Sequence, residues 1–428
     1  MRRATLWVVL GAVVIALMGC EPQYNFRPAT QAPSPAPPPP LPTTMAPAGL
    51  QCYWQINVAL EDGESLTRLV LVDQMLYGLT DHARLLAIDA ARGVWKWTVI
   101  AGGPHQREFA PIHHVDGVAL PAWLGDREKD KPSAERIQQA KPFNATIFNT
   151  FSHVLVVNRD TGELVMKIPL NFVVSTGGAA APDGAGGCMY YLGSPRGWCY
   201  GVDLRRGMKV WTTSGKGAFR TAPVFYKGVL YLADQSGLLQ AIGMEPNGTK
   251  PLWNDTQIDS QRMTGAVTAS MYIDDRGCFV ACEDNRLYAY DRLTGKPLWP
   301  PVICQGPLRD APQVGETTIF QRATQDQFYA IDAAKGTQRW ALPEGQKVLA
   351  VVRNETSHVY LLDQANTLRV IEELTGIQVA SQPMTGYEVY ASNVTVPAIF
   401  AASRSGRVVC LRPRGAGVLT SEDFKANR

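Results

Sequence analysis

The phrase LYAYDRLTGKPLW at residues 287–299 returns as FYAIDAAKGTQRW at 328–340 and as LLAIDAARGVWKW at 85–97. Each copy has an Asp, a Gly four residues on and a Trp eight residues on. When the whole chain is aligned on this phrase, the Asp position is filled by Asp89, Asn158, Asp203, Gly243, Asp291, Asp332, Glu372 and Arg412. The intervals are 69, 45, 40, 48, 41, 40 and 40 residues. A period near 40 with β-type alternation predicts an all-β propeller with four strands per blade. The units are rich in Val, Tyr, Gly and Pro and lack sustained 3.6-residue periodicity, which argues against helical repeats.

The chemistry of the phrase is that of a hairpin between the third and fourth strands of a blade. The Asp carboxylate can accept hydrogen bonds from turn amides, the Gly supplies positive φ, and the Trp brings a large apolar surface with one N–H to satisfy. The full set stands at Asp89, Gly93 and Trp97, at Asp203, Gly207 and Trp211, at Asp291, Gly295 and Trp299, and at Asp332, Gly336 and Trp340. Trp253 holds the same place in a further unit, and small residues (Ala87, Gly201, Ala241, Ala289, Ala330) stand two before the Asp position. The set reads as scaffold for blade-to-blade packing.

Seven fourth strands follow these hairpins, and the eighth unit ends without one. The N-terminal CYWQINV, residues 52–58, has a Trp but no third strand before it. It supplies the missing strand, with Trp54 in the Trp position, by pairing with residues 408–412. That closes an eight-bladed β-propeller over residues 50–415, in which the first and last segments share a blade and no sheet edge is left open. One domain then replaces the two or three that 428 residues imply on length alone, with residues 416–428 as a C-terminal tail.

Ahead of the ring, Arg2 and Arg3 precede LWVVLGAVVIALM, residues 6–18, and then LMGC, residues 17–20. Thirteen apolar residues suit a secretory signal better than a spanning helix. The LMGC sequence resembles the lipobox of bacterial lipoproteins, which implies a signal peptide over 1–20 and lipidation of Cys20. Residues 21–49 are Pro-rich and read as an extended tether. At roughly 3.1 Å per residue it could reach about 80 Å. The expected location is the periplasmic side of a bacterial membrane, with the outer membrane favoured.

The repeats resemble those of pyrroloquinoline-quinone propellers. Together with the lipobox they resemble BamB-type lipoproteins, components of the outer-membrane barrel-assembly machinery. That resemblance implies a non-enzymatic, monomeric scaffold that binds protein partners. Two other readings stand beside it: a propeller that binds a small molecule or glycan in its central funnel, and, remotely, a quinone-dependent dehydrogenase. Such dehydrogenases carry an adjacent Cys–Cys pair and a Glu/Asn/Asp calcium site, and this chain has neither an adjacent Cys pair nor calcium-loop spacing. No cofactor, metal or catalytic residue is expected. With 41 basic against 38 acidic residues there is no electrostatic footprint for nucleic acid.

The remaining features read as structure. Cys188 and Cys199 flank a hairpin whose turn over 193–197 would set Cys199 opposite Tyr191, too far from Cys188 for a bond. Cys278 and Cys282 share one strand at i, i+4 and cannot bond to each other. Cys410 falls at a small-residue position, and most of the cysteines read as buried apolar groups. His113 and His114, near His105 and Asp116, hint at metal but align with Phe225 and Tyr226, ordinary strand residues. Sequons such as those at Asn144 and Asn247 carry little weight in a bacterial lipoprotein. The 69-residue interval is read as an insertion over 124–150 between the second and third strands of its unit, with a short helix at SAERIQQA starting from Ser133.

Overall fold

The computed structural model describes residues 48–425 apart from 104–105, 107, 115–142, 183–186, 246–247, 255–261, 326 and 354–355. Their strands form eight four-stranded antiparallel sheets, and the chain is an eight-bladed β-propeller. Blades 1 to 7 span 66–100, 112–169, 178–214, 224–254, 272–303, 313–343 and 345–383, and each sheet follows chain order. Blade 8 takes three strands from 389–413 and its fourth from Leu50–Asn57.

First strands of neighbouring blades lie against one another, as at Gly178–Pro182 beside Val224–Tyr226 and Leu66–Val72 beside Val389–Tyr390. These strands therefore ring the axis, and the fourth strands form the rim. Burial follows the same order. The second strand of blade 3, Cys188–Gly193, is buried throughout, whereas its fourth, Met208–Ser214, is largely exposed. The middle strands are covered on both faces, which is why they read as continuous apolar runs. The core lies in the seams between blades: one cluster joins Tyr77, Leu85 and Trp97 of blade 1 to Phe148, Leu155 and Val157 of blade 2.

The ring closes as the sequence predicts. Cys52 stands opposite Leu411, Trp54 opposite Cys410 and Ile56 opposite Val408. The folded unit extends past the expected limits at both ends. Ala48 is buried beside Tyr360. Leu419 and Phe424 of the segment expected as a tail are buried in the cluster that holds Cys410. There a short helix, Ser421–Lys425, is capped by Asp423, whose Oδ2 accepts from Thr420 N at 2.7 Å. Leu419 N donates to Tyr53 Oη of the closing strand at 3.2 Å.

The insertion expected over 124–150 is placed differently. Ala145–Asn149 is the second strand of blade 2: Ile147 pairs with Ile112 of the first strand, and Phe148 with Leu155 of the third. The extra residues therefore lie between the first and second strands. The helix expected at Ser133 falls outside the described residues. The misassignment has a source in the sequence, because GVAL at 117–120 matches GVLYL at 228–232, where the second strand of blade 4 begins. In fact ATIFN, all five residues buried, fills that slot. It lies three residues before the next strand, the same spacing as in blade 1 between Met75–Thr80 and Arg84–Asp89. In an antiparallel blade this moves the insertion to the end that carries the Asp–Gly turns, opposite the end expected.

Candidate functional site

Each repeat-phrase residue has a structural task at a blade seam. Asp89 Oδ1 accepts from Ala91 N and Arg92 N, both at 3.0 Å. Asp203 Oδ1 does the same for Arg205 N and Arg206 N, Asp291 Oδ1 for Leu293 N and Thr294 N, and Asp332 Oδ1 for Ala334 N and Lys335 N. A hydrogen bond from the Thr294 side chain holds the Asp291 carboxyl below its ordinary range, and one from Arg339 does so for Asp332. The Trp stands within its strand, directly across from the small residue: Trp97 from Ala87, Trp211 from Gly201, Trp253 from Ala241 and Trp340 from Ala330.

The indole then reaches into the next blade. Trp54 Nε1 donates to Ala90 O at 3.0 Å, Trp97 to Arg159 O at 2.7 Å, Trp253 to Arg292 O at 3.0 Å, Trp299 to Ala333 O at 3.3 Å and Trp340 to Glu373 O at 2.8 Å. In each case the acceptor follows the Asp position. The ring covers the Gly of that next turn. A Cβ on Gly93 would stand 2.5 Å from the Trp54 ring, and one on Gly336 would stand 2.4 Å from the Trp299 ring. Both glycines have positive φ, so the position requires Gly for conformation and for contact. Gly295 meets Trp253 in the same way, whereas Gly207 meets Met166 more loosely, at 3.6 Å. Trp211 departs from the pattern and donates to the side-chain oxygen of Thr249 at 3.3 Å. Cys20 lies outside the described residues.

The other sequence candidates also fall to structure. Among the described residues no disulfide joins Cys52, Cys188, Cys199, Cys278, Cys282, Cys304 or Cys410, and all are buried except the half-buried Cys52. Burial pushes those of Cys282 and Cys304 up to about 12. Cys199 faces Gly193, not Tyr191 as expected. The turn is tighter than the sequence reading assumed, because Ser194 N bonds Trp198 O and Gly197 N bonds Ser194 O. His113 Nδ1 lies 2.6 Å from Asp73 Oδ2 and its Nε2 lies 2.8 Å from Tyr77 Oη, which ties blade 2 to blade 1. His105 and Asp116 lie outside the described residues.

The sequence allowed a ligand in the central funnel but pointed to no residue for it; the structure has a cavity of about 600 Å³ at the axis, lined from blades 5 to 8, mostly by first strands and adjoining loops. Tyr272, Gln313, Lys347 and Asn393 come one from each of these blades. Gln313 ties the wall together: its Oε1 accepts from Val348 N at 2.9 Å, and its Nε2 donates to Val348 O at 3.0 Å and to Ser392 Oγ. Asn393 pins the loop behind it, donating to Val396 O at 2.7 Å and to Ala398 O at 2.9 Å. Arg322 and Asp310 pair at 3.2 Å on the same wall. Lys347 and Gln346 also line the cavity. The only trace of this site in the sequence is a lysine inside the apolar strand GQKVLAVVR.

Comparison with known proteins gives a consistent picture. The family model described as outer membrane protein assembly factor BamB matches residues 150–311 and 303–428. The outer membrane protein assembly factor BamB of Yersinia pestis is 24% identical over 264 residues, which cover 58% of this chain and 65% of that protein, just under two thirds of its length. Among solved structures, BamB from Moraxella catarrhalis superposes with a TM-score of 0.57 at 12% identity, covering 85% of this chain and 99% of that one. The computationally designed Ika8 protein superposes equally well, with a TM-score of 0.57 at 12% identity over 81% of this chain and 96% of its own. Likeness to a natural assembly factor and to a design alike speaks for the fold alone.

Proposed function

Because the chain belongs to the family described as outer membrane protein assembly factor BamB, we propose that it is a non-enzymatic scaffold that binds protein partners in outer-membrane protein assembly. The observation that carries this reading is the family match, which runs over residues 150–428 and takes in blades 3 to 7 and three of the four strands of blade 8. The recurrent Asp, Gly and Trp residues support it, because each is engaged in turn-making or in docking one blade on the next. Repeating such residues from blade to blade maintains a rigid ring, and recognition is left to the loops at its two ends. In this reading Cys20 is lipidated, residues 21–47 are the tether, and the propeller is a monomer held off the periplasmic face of the outer membrane.

Affinity capture from detergent-solubilised membranes tests the partner. Enrichment of barrel-assembly subunits is the expected result, and their absence from a capture that retains the folded propeller overturns the proposal. Cys20→Ser tests the anchor: the variant should leave the membrane fraction after a high-salt wash, and its retention there would refute lipidation at this residue. The axial cavity favours a second reading, a ligand-binding propeller. For the quinone-dependent dehydrogenase reading, calcium-dependent binding of pyrroloquinoline quinone by the purified chain would displace the scaffold proposal.

A further inference from the structure

We propose that the axial cavity is a carboxylate-binding site centred on Lys347. Two features of the wall carry this inference. The first is backbone geometry. The register of the first strand of blade 7 against its neighbour shifts between Gly345 and Lys347. In a regular strand consecutive side chains point to opposite faces, but a bulge re-aims one of them. Here Gln346 and Lys347 both line the cavity. The bulge therefore delivers an amide and an ammonium to one place.

The second feature is unmet hydrogen-bonding capacity. Among the described residues the Lys347 ammonium forms no ion pair or hydrogen bond, although its surroundings strip it of water and push its pKa down, an effect that Asp310 only partly opposes. Arg322 on the same wall has a buried Nε with no partner. Burying cationic donors without partners is costly. Other polar groups of this wall, Gln313 and Asn393, are paired within the protein.

Charge selects the ligand. Lys347 and Arg322 against Asp310 leave the wall with one net positive charge. A single carboxylate neutralises it, whereas a phosphate dianion would meet the Asp310 carboxylate with charge to spare. The cavity volume lies in the range of small-ligand sites, roughly 300–1,000 Å³. That is room for an acidic side chain presented by a polypeptide loop, or for a small carboxylic acid. This site is independent of the assembly proposal, since it needs only the purified propeller.

The test is calorimetric titration of the full-length chain at low salt with two singly charged probes, butyrate and the peptide acetyl-Gly-Glu-Gly-amide, with the Gln counterpart of the peptide as control. The expected result is one-to-one binding of at least one of butyrate and the Glu peptide, weakened at least tenfold by Lys347→Met and absent for the Gln peptide. Peptide binding alone assigns the site to a polypeptide, and butyrate binding alone to a small acid. Lys347→Met should also leave the melting temperature unchanged or raised, because it removes an unpaired desolvated charge. Gln346→Leu, from the same bulge, is the second variant and should also weaken binding. No binding of either probe at millimolar concentration, or equal binding by wild type and Lys347→Met, overturns the proposal.

Discussion

Blades 6 and 7 meet through Trp340, whereas blades 7 and 8 meet where Ala380 stands in its place. At the first seam the indole is buried, donates to Glu373 O and covers Gly376, whose Cβ, if it had one, would stand 2.6 Å from the ring. At the second seam the partner position of the Gly is also lost, since Ala416 stands four residues after Arg412. Trp and Gly are both absent at this seam, whereas Gly207 is kept against Met166 at another. The second seam is instead held through Asn366, whose Nδ2 donates to Met384 O at 3.1 Å and to Tyr387 O at 2.9 Å. Tyr390 Oη completes that network at 2.7 Å from Asn366 Oδ1. Around it Leu349, Tyr360 and Leu362 of blade 7 pack against Leu50, Ile399 and Leu411 of blade 8. The two seams show that a ring can be closed by one repeated aromatic anchor or by a cluster and a polar network specific to one place.

The largest way to break the comparison is to remove the strand on which the second seam depends. Deleting residues 48–57 takes away the fourth strand of blade 8, leaves the edge of Arg407–Pro413 unpaired and removes Trp54 from Gly93. Urea unfolding should report a loss of roughly 5 kcal/mol or more, given the apolar area uncovered. Deleting residues 21–47 should leave the midpoint unchanged. A stable ring without residues 48–57 would mean that closure does not depend on this pairing.

Trp340→Ala is next. It leaves a cavity at the first seam and orphans Glu373 O, so the loss should be about 3–5 kcal/mol. The native Ala380 shows that the ring tolerates alanine at this position only where another cluster fills the space. A cost below about 1 kcal/mol would show that the indole is not the anchor of its seam. Tyr390→Phe tests the other seam. It removes the hydroxyl that donates to Asn366 Oδ1, while Asn366 Nδ2 keeps Met384 O and Tyr387 O, and should cost about 1 kcal/mol. An equal cost for Tyr390→Phe and Trp340→Ala would reverse the proposed division of labour.

These seams also mark what could be read from sequence. The Asp, Gly and Trp spacing revealed the blade count and the closing role of Trp54, because a turn, a positive φ and a docked indole are local demands that recur wherever the unit recurs. Three features were not legible. Residues 117–120, GVAL, match the start of the second strand of blade 4, and only the pairing of Ile112 with Ile147 shows that Ala145–Asn149 fills that slot. Leu419 and Phe424 lie in a short polar segment whose helix is too brief to leave a periodic signature, yet both are buried against the closing blade. The axial cavity takes single residues from four blades, so no stretch of chain carries its pattern.

The smallest effect separates the turns that feed the two seams. Blade 6 has Asp332 at its turn and blade 7 has Glu372. The Asp332 carboxyl is held below its ordinary range first by Arg339, whose Nη2 donates to Oδ2 at 2.9 Å, and then by the turn amides of Lys335 and Ala334. A carboxyl depressed by folding contributes stability that is fully present above its unfolded pKa and is lost as pH falls through its folded pKa. The window is therefore acidic, from about 4 downward. In Asp332→Asn the amide oxygen can still accept from the turn, as Asn158 Oδ1 does from Asp160 N at 2.9 Å and Thr161 N at 3.2 Å in blade 2. What disappears is the ion pair with Arg339, so the loss at neutral pH should be about 1 kcal/mol or less, shrinking toward zero in acid as the wild-type carboxyl takes up its proton. Glu372→Gln removes no such pairing, because among the described residues the Glu372 carboxylate accepts only from Thr375 Oγ1, at 2.6 Å, and meets no arginine. Urea midpoints for both variants at pH 7 and at pH 3 decide the matter: parallel behaviour of the two would show that the Arg339 pairing adds nothing to the turn.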